Sequence, residues 1–467
     1  MTSTTVSPPR TLPGWLKNAL LGAAVFILCW GAAIAYWRTA GNAPAMGEMA
    51  LALLVAPLGL LLAVWFGKKL ISARPAAPAV AGTAAVSKPA AATPSAPQQA
   101  LLSAALRSAH GASPEELAAA LAGNKARPDL DRELVDDAGF PVTSARSEEA
   151  DDEALQEEVR EWLVLNGMAE LHFSTAQWRA LTLGTAVVRD LAGEAVMQLL
   201  PPAGAAAPLR LLPMLPSGWT VEQRHAAGLW FRHTVAQFGW PVDSLTRLDV
   251  PPDTAPAAIL AQCAAEGMGD AHVATVLVAC ASHVDQESVD RWAANGSLHT
   301  AAWDRGRIPG EGAAGLLLTS LDGAKRIDGA MFAQLYPLSE ARREVSADSA
   351  KRPETKRMAD LAQRAVEAAG LALSEVAVIV ADTDHRVSRG LELMGLASST
   401  LPELDTTTEV LRTGVATGSC GAVPFICALA LARNAALVNN APALFVSNDD
   451  PFTLSMALVA PPPAPVQ

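Results

Sequence analysis

The 467-residue chain has a hydrophobic content of 51%, a charged content of 18% and a formal net charge of −12. Its acidic pI of about 5.2 excludes nucleic acid as a partner, because binding to nucleic acid requires a basic surface. Its mean hydropathy of +0.23 is high for a chain with this many charges, so we expect part of the chain to meet lipid.

Two uncharged runs near the N-terminus account for the high hydropathy. They cover 19–37 and 49–67, and about 20 apolar residues in a helix cross the hydrocarbon core of a bilayer. We therefore predict a hairpin of two transmembrane helices, over about 15–37 and 47–67. A cleaved signal peptide is the alternative for the first run, and it is disfavoured because an equally long run follows so soon.

Basic residues indicate the orientation of this hairpin. Only Arg38 lies between the two runs, whereas five basic residues flank them on the outside: Arg10, Lys17, Lys68, Lys69 and Arg74. Cytoplasmic flanks of membrane helices carry an excess of Lys and Arg. We therefore predict that both ends face the cytoplasm, with the large domain on the cytoplasmic side of a bacterial inner membrane.

The segment that follows the hairpin is rich in Ala and Pro. From residue 72 to about residue 100 it offers little to bury, and its prolines interrupt regular helix. We interpret it as a semi-extended linker. The segment before it, 1–71, then contains the N-terminal tail and both predicted spans.

Beyond the linker, short β-branched runs alternate with Ala-rich helical patterns, which is typical of α/β layers. The stretch from Ser113 to Gly123 predicts a helix, because it has a serine N-cap, a proline, an acidic first turn and a closing glycine. Strands are predicted at 272–281 and 376–383, and a buried helix at 423–436. These elements predict a layered α/β domain.

The two predicted strands share one further feature. A turn that carries Asp and His follows each of them, with His283 in the first turn and His385 in the second. This similarity suggests two related halves, which we place at 101–345 and 346–467.

Four stretches, in this order, resemble the thiolase-like superfamily and, within it, the β-ketoacyl synthases: "HGASPEELAAALAGN", "GMGDAHVATVLVACAS", "WDRGRIPGEGAAGLLL", and "VAVIVADTDHRV" with "TGVATGSCGAVPFICALALA". The resemblance covers about 101–460. It implies a five-layer α-β-α-β-α fold of two related halves. The same enzymes condense acyl thioesters with a cysteine nucleophile and two histidines.

The three positions that match those catalytic residues carry other side chains here. Pro252 matches the cysteine, Asp382 the first histidine and Gly418 the second. Proline cannot attack a thioester, aspartate would repel an oxyanion and glycine has no side chain. The resemblance thus implies a condensing-enzyme fold without condensing activity.

Two nearby residues leave an alternative open. Cys420 and His385 could form a displaced catalytic pair, with the thiol activated at a helix start. Otherwise Cys420 is a small buried residue and His385 bonds to backbone in a turn; the same structural interpretation applies to His283. Glu311 is interpreted as a carboxylate that fixes a turn, with a general acid as the alternative.

We therefore predict a non-catalytic binding or adaptor protein, anchored in the inner membrane, with a protein partner in the cytoplasm and a possible homodimer. No cofactor and no metal site is expected. An acyltransferase or thioesterase that uses Cys420 and His385 is one alternative, and an acyl-chain sensor is another. The architecture also resembles the adaptors that recruit lipase effectors to type VI secretion machines.

Overall fold

A computed structural model describes residues 99–201, 206–267, 273–349 and 353–462 of the chain. In these ranges no helix is both long enough and apolar enough to cross a membrane. The predicted spans at 15–37 and 47–67, and the linker before residue 99, lie outside the described residues.

The strands, in chain order, are β1 (Gln99–Ser108), β2 (Asp129–Val135), β3 (Pro141–Ser144), β4 (Leu209–Met214), β5 (Leu245–Arg247), β6 (Ala274–Ser282), β7 (Glu311–Thr319), β8 (Ala333–Leu335), β9 (Ser339–Arg342), β10 (Val378–Ala381), β11 (Val410–Arg412), β12 (Ala443–Ser447) and β13 (Thr453–Ala460). The helices are α1 (Pro114–Ala122), α2 (Glu153–Leu165), α3 (Thr175–Leu199), α4 (Val221–Gln237), α5 (Pro256–Gly267), α6 (Gln286–Ala294), α7 (Leu321–Ala324), α8 (Thr355–Ala368), α9 (Val387–Thr400), α10 (Thr413–Thr417) and α11 (Val423–Val438).

The two halves repeat one strand order. In the first half the order across the sheet is β5-β4-β6-β7-β1, and in the second it is β11-β10-β12-β13-β8. In each half the first three strands of this order are parallel, and the fourth is antiparallel to both of its neighbours. The expected two related halves are therefore visible as a repeated topology.

Strand β8 belongs to the strand order of the second half. It takes the place in the second sheet that β1 takes in the first, although it precedes residue 346, the predicted start of the second half. A three-residue strand is too short to show a periodic pattern, so β8 could not be predicted from its residues. Strands β1 and β8 pair with each other at Leu101–Ala333 and so join the two sheets.

Helix α11 is buried between the two sheets. From Val423 to Ala432 it is apolar on all sides, as a helix enclosed in a core must be, and its residues share one cluster with Leu277 and Leu316 of the first sheet and Val380 and Phe445 of the second. Two further clusters lie on the outer faces of the sheets, beneath α3 and α4 in one half and beneath α8 and α9 in the other. The order of layers is thus α-β-α-β-α.

Local sequence signals explain several elements. Helix α1 begins as predicted, with the Ser113 side chain accepting a hydrogen bond from the Glu116 N–H and Gly123 at the C-cap. In β6, Val276 and Val278 face the outer core while Leu277 faces α11, so both faces of the strand are buried. Strand β1 begins at Gln99, so the last two residues of the predicted linker, 99 and 100, belong to this strand.

Candidate functional site

The residues that match the family's catalytic positions lie in three loops. Pro252 is exposed in the turn that leads into α5, next to Asp253, whose φ is +66°. Asp382 follows β10, and Gly418 lies between α10 and α11. Ligand sites of parallel sheets lie beyond the carboxyl ends of the strands, so Asp382 occupies the position from which a reactive side chain would act.

Asp382 is bound entirely by its own half of the molecule. It is 5% exposed, and its carboxylate accepts hydrogen bonds from the Ser447 hydroxyl and from the backbone N–H groups of Asn448 (2.9 Å) and Asp449 (3.2 Å). Burial raises the pKa of this carboxyl to about 6, against the opposing effect of these bonds. The Asp382 side chain therefore links the end of β10 to the end of β12 by hydrogen bonds.

Arginines hold the other acidic residues around this edge of the sheet. Arg386 pairs with Asp384 (2.6 Å), Asp449 (2.8 Å) and Asp348 (3.0 Å). The fully buried Arg389 also reaches Asp348, at 2.8 Å. Each of these carboxylates is thus paired with a guanidinium, although burial raises the pKa of Asp449 to about 7.

A buried ion pair lies next to these residues and is hydrogen-bonded to the same loop. Arg343 and Glu392 are almost fully buried and lie 2.6 Å apart. Arg343 also donates to the Asn448 carbonyl, at 3.2 Å. Removing one partner of such a pair leaves an uncompensated charge in the core, which typically costs about 3–5 kcal/mol.

Gly418 is enclosed by backbone from the first half. Its φ of +62° and ψ of −160° belong to a region that is essentially restricted to glycine. A Cβ at this position would lie 3.0 Å from the Gly310 Cα and 3.1 Å from the Ile308 carbonyl oxygen. The Ser419 N–H donates to the same Ile308 oxygen, at 2.9 Å. The loop before β7 therefore fills the space that a histidine side chain would need.

Cys420 is buried two residues further on. Its Sγ donates to the Gly418 carbonyl oxygen at 3.7 Å. Burial raises the pKa of this thiol to about 12. The thiolate is the nucleophilic form of cysteine, so this environment opposes the activation that a displaced nucleophile requires.

His385 bonds to a different part of the chain. Its Nε2 donates to the Gly306 carbonyl oxygen at 2.9 Å, and its ring lies 5.0 Å from that of His299. Burial lowers the pKa of this imidazole. Within the described residues no hydrogen bond joins His385 to Cys420, and each has its own backbone partner.

His283 and Glu311 have structural partners as well. The His283 ring packs 5.0 Å from Trp292, and burial lowers its pKa to about 4. Glu311 is fully buried and accepts two hydrogen bonds from Arg179, at 2.6 and 2.7 Å, and one from Ser282, at 2.9 Å. These contacts connect α3, β6 and β7, and they agree with a carboxylate that fixes structure.

The sequence did not single out several residues of this region. Gly310, Arg343, Arg389, Glu392 and His299 all contribute to it, and each meets partners far away in the chain. In the described part of the chain no group of three or more His, Cys, Asp or Glu side chains could hold a metal ion.

A cavity of about 340 Å³ lies along α5. Its walls include Ala257, Leu260 and Ala261 of α5, and Tyr336 and Leu338 from the segment between β8 and β9. Pro252, Asp382 and Gly418 do not line it.

No protein-family model and no curated protein sequence matches this chain. Several solved structures match its fold. The ishigamide ketosynthase/chain length factor aligns with a TM-score of 0.51 at 15% identity, over 78% of this chain and 99% of its own. A β-ketoacyl synthase from Burkholderia phymatum STM815 aligns with a TM-score of 0.50 at 13% identity, over 79% and 100%.

A third structure contains a type II PKS acyl-carrier protein in complex with its ketosynthase bound to the hexaketide. It aligns with a TM-score of 0.53 at 12% identity, over 78% of this chain and 99% of that chain. At such low identity the likeness speaks for the fold and not for the chemistry. The repeated strand order, the helix layer between the sheets and these neighbours together show that the chain has the ketosynthase fold.

Proposed function

We propose that this protein is a ketosynthase-fold binding protein that performs no condensation. In this proposal it is anchored in a bacterial inner membrane by the predicted hairpin, and its large domain recruits a protein partner on the cytoplasmic side. The observation that carries the proposal is the contact of Gly418 with Gly310, which leaves no room for a side chain where the family resemblance requires a histidine.

The other two positions support the same proposal. Pro252 has no nucleophilic atom. Asp382 is buried, and its carboxylate oxygens accept hydrogen bonds from Ser447, Asn448 and Asp449. The groups of a catalytic unit act together, so losing them typically costs several orders of magnitude in rate. A fold that has lost its chemistry still offers a surface to a partner.

The displaced pair is less well supported. Cys420 and His385 hydrogen-bond to separate backbone carbonyls, and burial opposes ionisation of the thiol. An acyltransferase or thioesterase would need these two side chains to meet during catalysis.

An acylation experiment distinguishes the two candidates. Purified protein is incubated with a radiolabelled acyl thioester and then with a malonyl thioester, while mass spectrometry follows each cysteine. We expect no label on Cys420 and no condensation product. Stoichiometric acylation that turns over, and that is abolished by Cys420→Ala or His385→Ala but not by the matched Cys263→Ala, would establish the acyltransferase instead.

The partner in this proposal is a protein that carries an acyl group or acts on lipid. One of the aligned structures pairs a ketosynthase with an acyl-carrier protein, and the architecture resembles adaptors of type VI lipase effectors. A homodimer is compatible with either partner. Affinity purification from detergent-solubilised membranes should recover such a protein in a fixed ratio to the chain, and recovery of the chain alone would count against an adaptor.

The cavity along α5 favours a second candidate, an acyl-chain sensor that binds without turnover. Its volume of about 340 Å³ lies within the usual range of small-molecule sites, roughly 300–1,000 Å³, and its lining combines apolar side chains with a few polar ones, as such sites do. Ala261→Trp would fill the cavity, whereas Gln262→Trp, the next residue on α5, does not line it. Binding of a fluorescent fatty acid that Ala261→Trp abolishes and Gln262→Trp preserves would support this function.

A further inference from the structure

The cavity along α5 lies where the chain enters its first strand. Gln99, the first residue of β1, lines the cavity together with Leu335, the last residue of β8. Helix α5 contributes Ala261 and four other apolar residues to the lining, and the segment after β8 contributes residues 336–338 and Glu340. The residues that precede Gln99 therefore begin at the edge of this cavity.

The register of β1 and β8 indicates in which direction an extended chain would continue. The two strands are antiparallel, with Gln99 opposite Leu335, so a continuation of β1 towards the N-terminus would run alongside the residues after Leu335. In this register Pro97 would stand beside Pro337. Proline has no N–H, so neither residue could extend the ladder, and β1 and β8 both end at this point. An extended segment before Gln99 would thus follow the lining of the cavity without joining the sheet.

Helix α5 has an uncovered apolar face on the side of the cavity. It connects β5 to β6 as α11 connects β11 to β12 in the second half. Residues 423–432 of α11 are all buried, whereas Ala261 and Ala265 of α5, which line the cavity, are exposed. Apolar helix faces in such a layered domain are normally covered, so α5 has room for one further element of chain.

The six residues before Gln99 have the composition and the length for this place. Residues 93–98 read "TPSAPQ", with no charged side chain and with prolines at Pro94 and Pro97. Proline-rich segments favour the extended polyproline II conformation and dock into grooves lined by aromatic and other apolar side chains. Six residues in this conformation span roughly 19 Å, and the 12 residues of α5 span about 18 Å.

We propose that residues 93–98 occupy the cavity along α5 as an extended segment that packs against Ala261 and Tyr336. The last part of the linker is then a fixed part of the domain, and only the residues before it act as a tether. This proposal does not depend on the acyl-chain sensor, because it concerns the protein without ligand. An acyl chain that entered the same cavity would have to displace the segment.

Chemical labelling of the full-length protein in detergent tests this contact. The thiol of Ala261→Cys is allowed to react with a maleimide, and mass spectrometry with fragmentation follows position 261. One variant keeps the natural segment, and a second also carries Ala96→Asp and Pro97→Asp. A carboxylate is costly to bury without a partner, so the altered segment should leave the cavity. We expect position 261 to react several-fold faster in the second variant.

Two controls separate docking of the segment from other effects. Gln262→Cys lies next to Ala261 on α5 but does not line the cavity, so it should react at the same rate with either segment. Ala84→Asp together with Ala85→Asp adds the same charge outside residues 93–98 and should leave position 261 slow.

Three results would overturn the proposal. The first is equal reaction of position 261 with the natural and the altered segment. The second is an equal acceleration by the substitutions at 84 and 85, which would trace the effect to charge alone. The third is protection of positions 261 and 262 alike that is lost on dilution, because a second copy of the chain would then cover α5.

Discussion

The contact between Gly310 and Gly418 can be tested by adding one methyl group. In Gly310→Ala the new Cβ would lie 2.7 Å from the Gly418 Cα and closer still to the Thr417 carbonyl oxygen. All of the nearest atoms belong to backbone, and the Ser419 N–H is bonded to the neighbouring Ile308 carbonyl oxygen, so no side chain can rotate away. Overpacking a core typically costs about 1–3 kcal/mol, and we expect the upper end of this range or more.

The assay is urea unfolding of the chain that begins at Pro89, followed by the fluorescence of its buried tryptophans. The matched control is Gly218→Ala, because a Cβ at Gly218 meets no atom within 4 Å. The control should change the free energy of unfolding by less than about 0.5 kcal/mol. If Gly310→Ala unfolds at the same urea concentration as the wild type, the two loops are not in close contact, and a side chain at position 418 is not excluded.

Four other outcomes are expected. Glu311→Gln leaves the buried Arg179 with a weaker partner and should destabilise the domain by about 3 kcal/mol in the same assay, whereas an unchanged midpoint would mean that the pair is not buried. Asp382→Asn should gain stability relative to the wild type as the pH rises from 4.5 to 7.5, by on the order of 2 kcal/mol. The reason is that the folded wild type, with a pKa of about 6, releases its proton less readily than the unfolded chain; a parallel pair of pH profiles would contradict this. The chain that begins at Pro89 should be soluble and folded by circular dichroism, because β1 is complete in it, and recovery only as aggregate would show that the domain needs the preceding segment. A reporter that is active only in the periplasm, fused after Gln467, should be silent, and strong activity would reverse the predicted orientation.

Local patterns in the sequence predicted those elements that local burial determines. Helix α1, strand β6 and helix α11 were predicted because caps and runs of apolar residues mark them over nine or more residues. Strands β8 and β11 have three residues each. Strands this short form because neighbouring strands pair with them. Three residues are too few to show the periodic pattern from which a strand is predicted.

The candidate site was predicted only as a set of positions. The resemblance indicated which residues stand at 252, 382 and 418, and the structure adds what surrounds them. Asp382 meets Ser447 some sixty positions later in the chain, and Gly418 meets Gly310 across the two halves. Contacts of this kind follow from the topology of the sheets, and one sequence gives no measure of distance between such segments.

The position of β1 has a consequence for synthesis of the protein. This first strand pairs with β7 and β8, which the ribosome makes more than 200 residues later. At a rate of roughly 5–20 residues per second, β1 waits on the order of 10–40 s for its partners with both of its edges unpaired. Unpaired edges are open to wrong pairing with other chains. Native assembly of the first half therefore has to wait until most of the chain has been translated, and a chaperone that binds extended apolar segments would act during this interval.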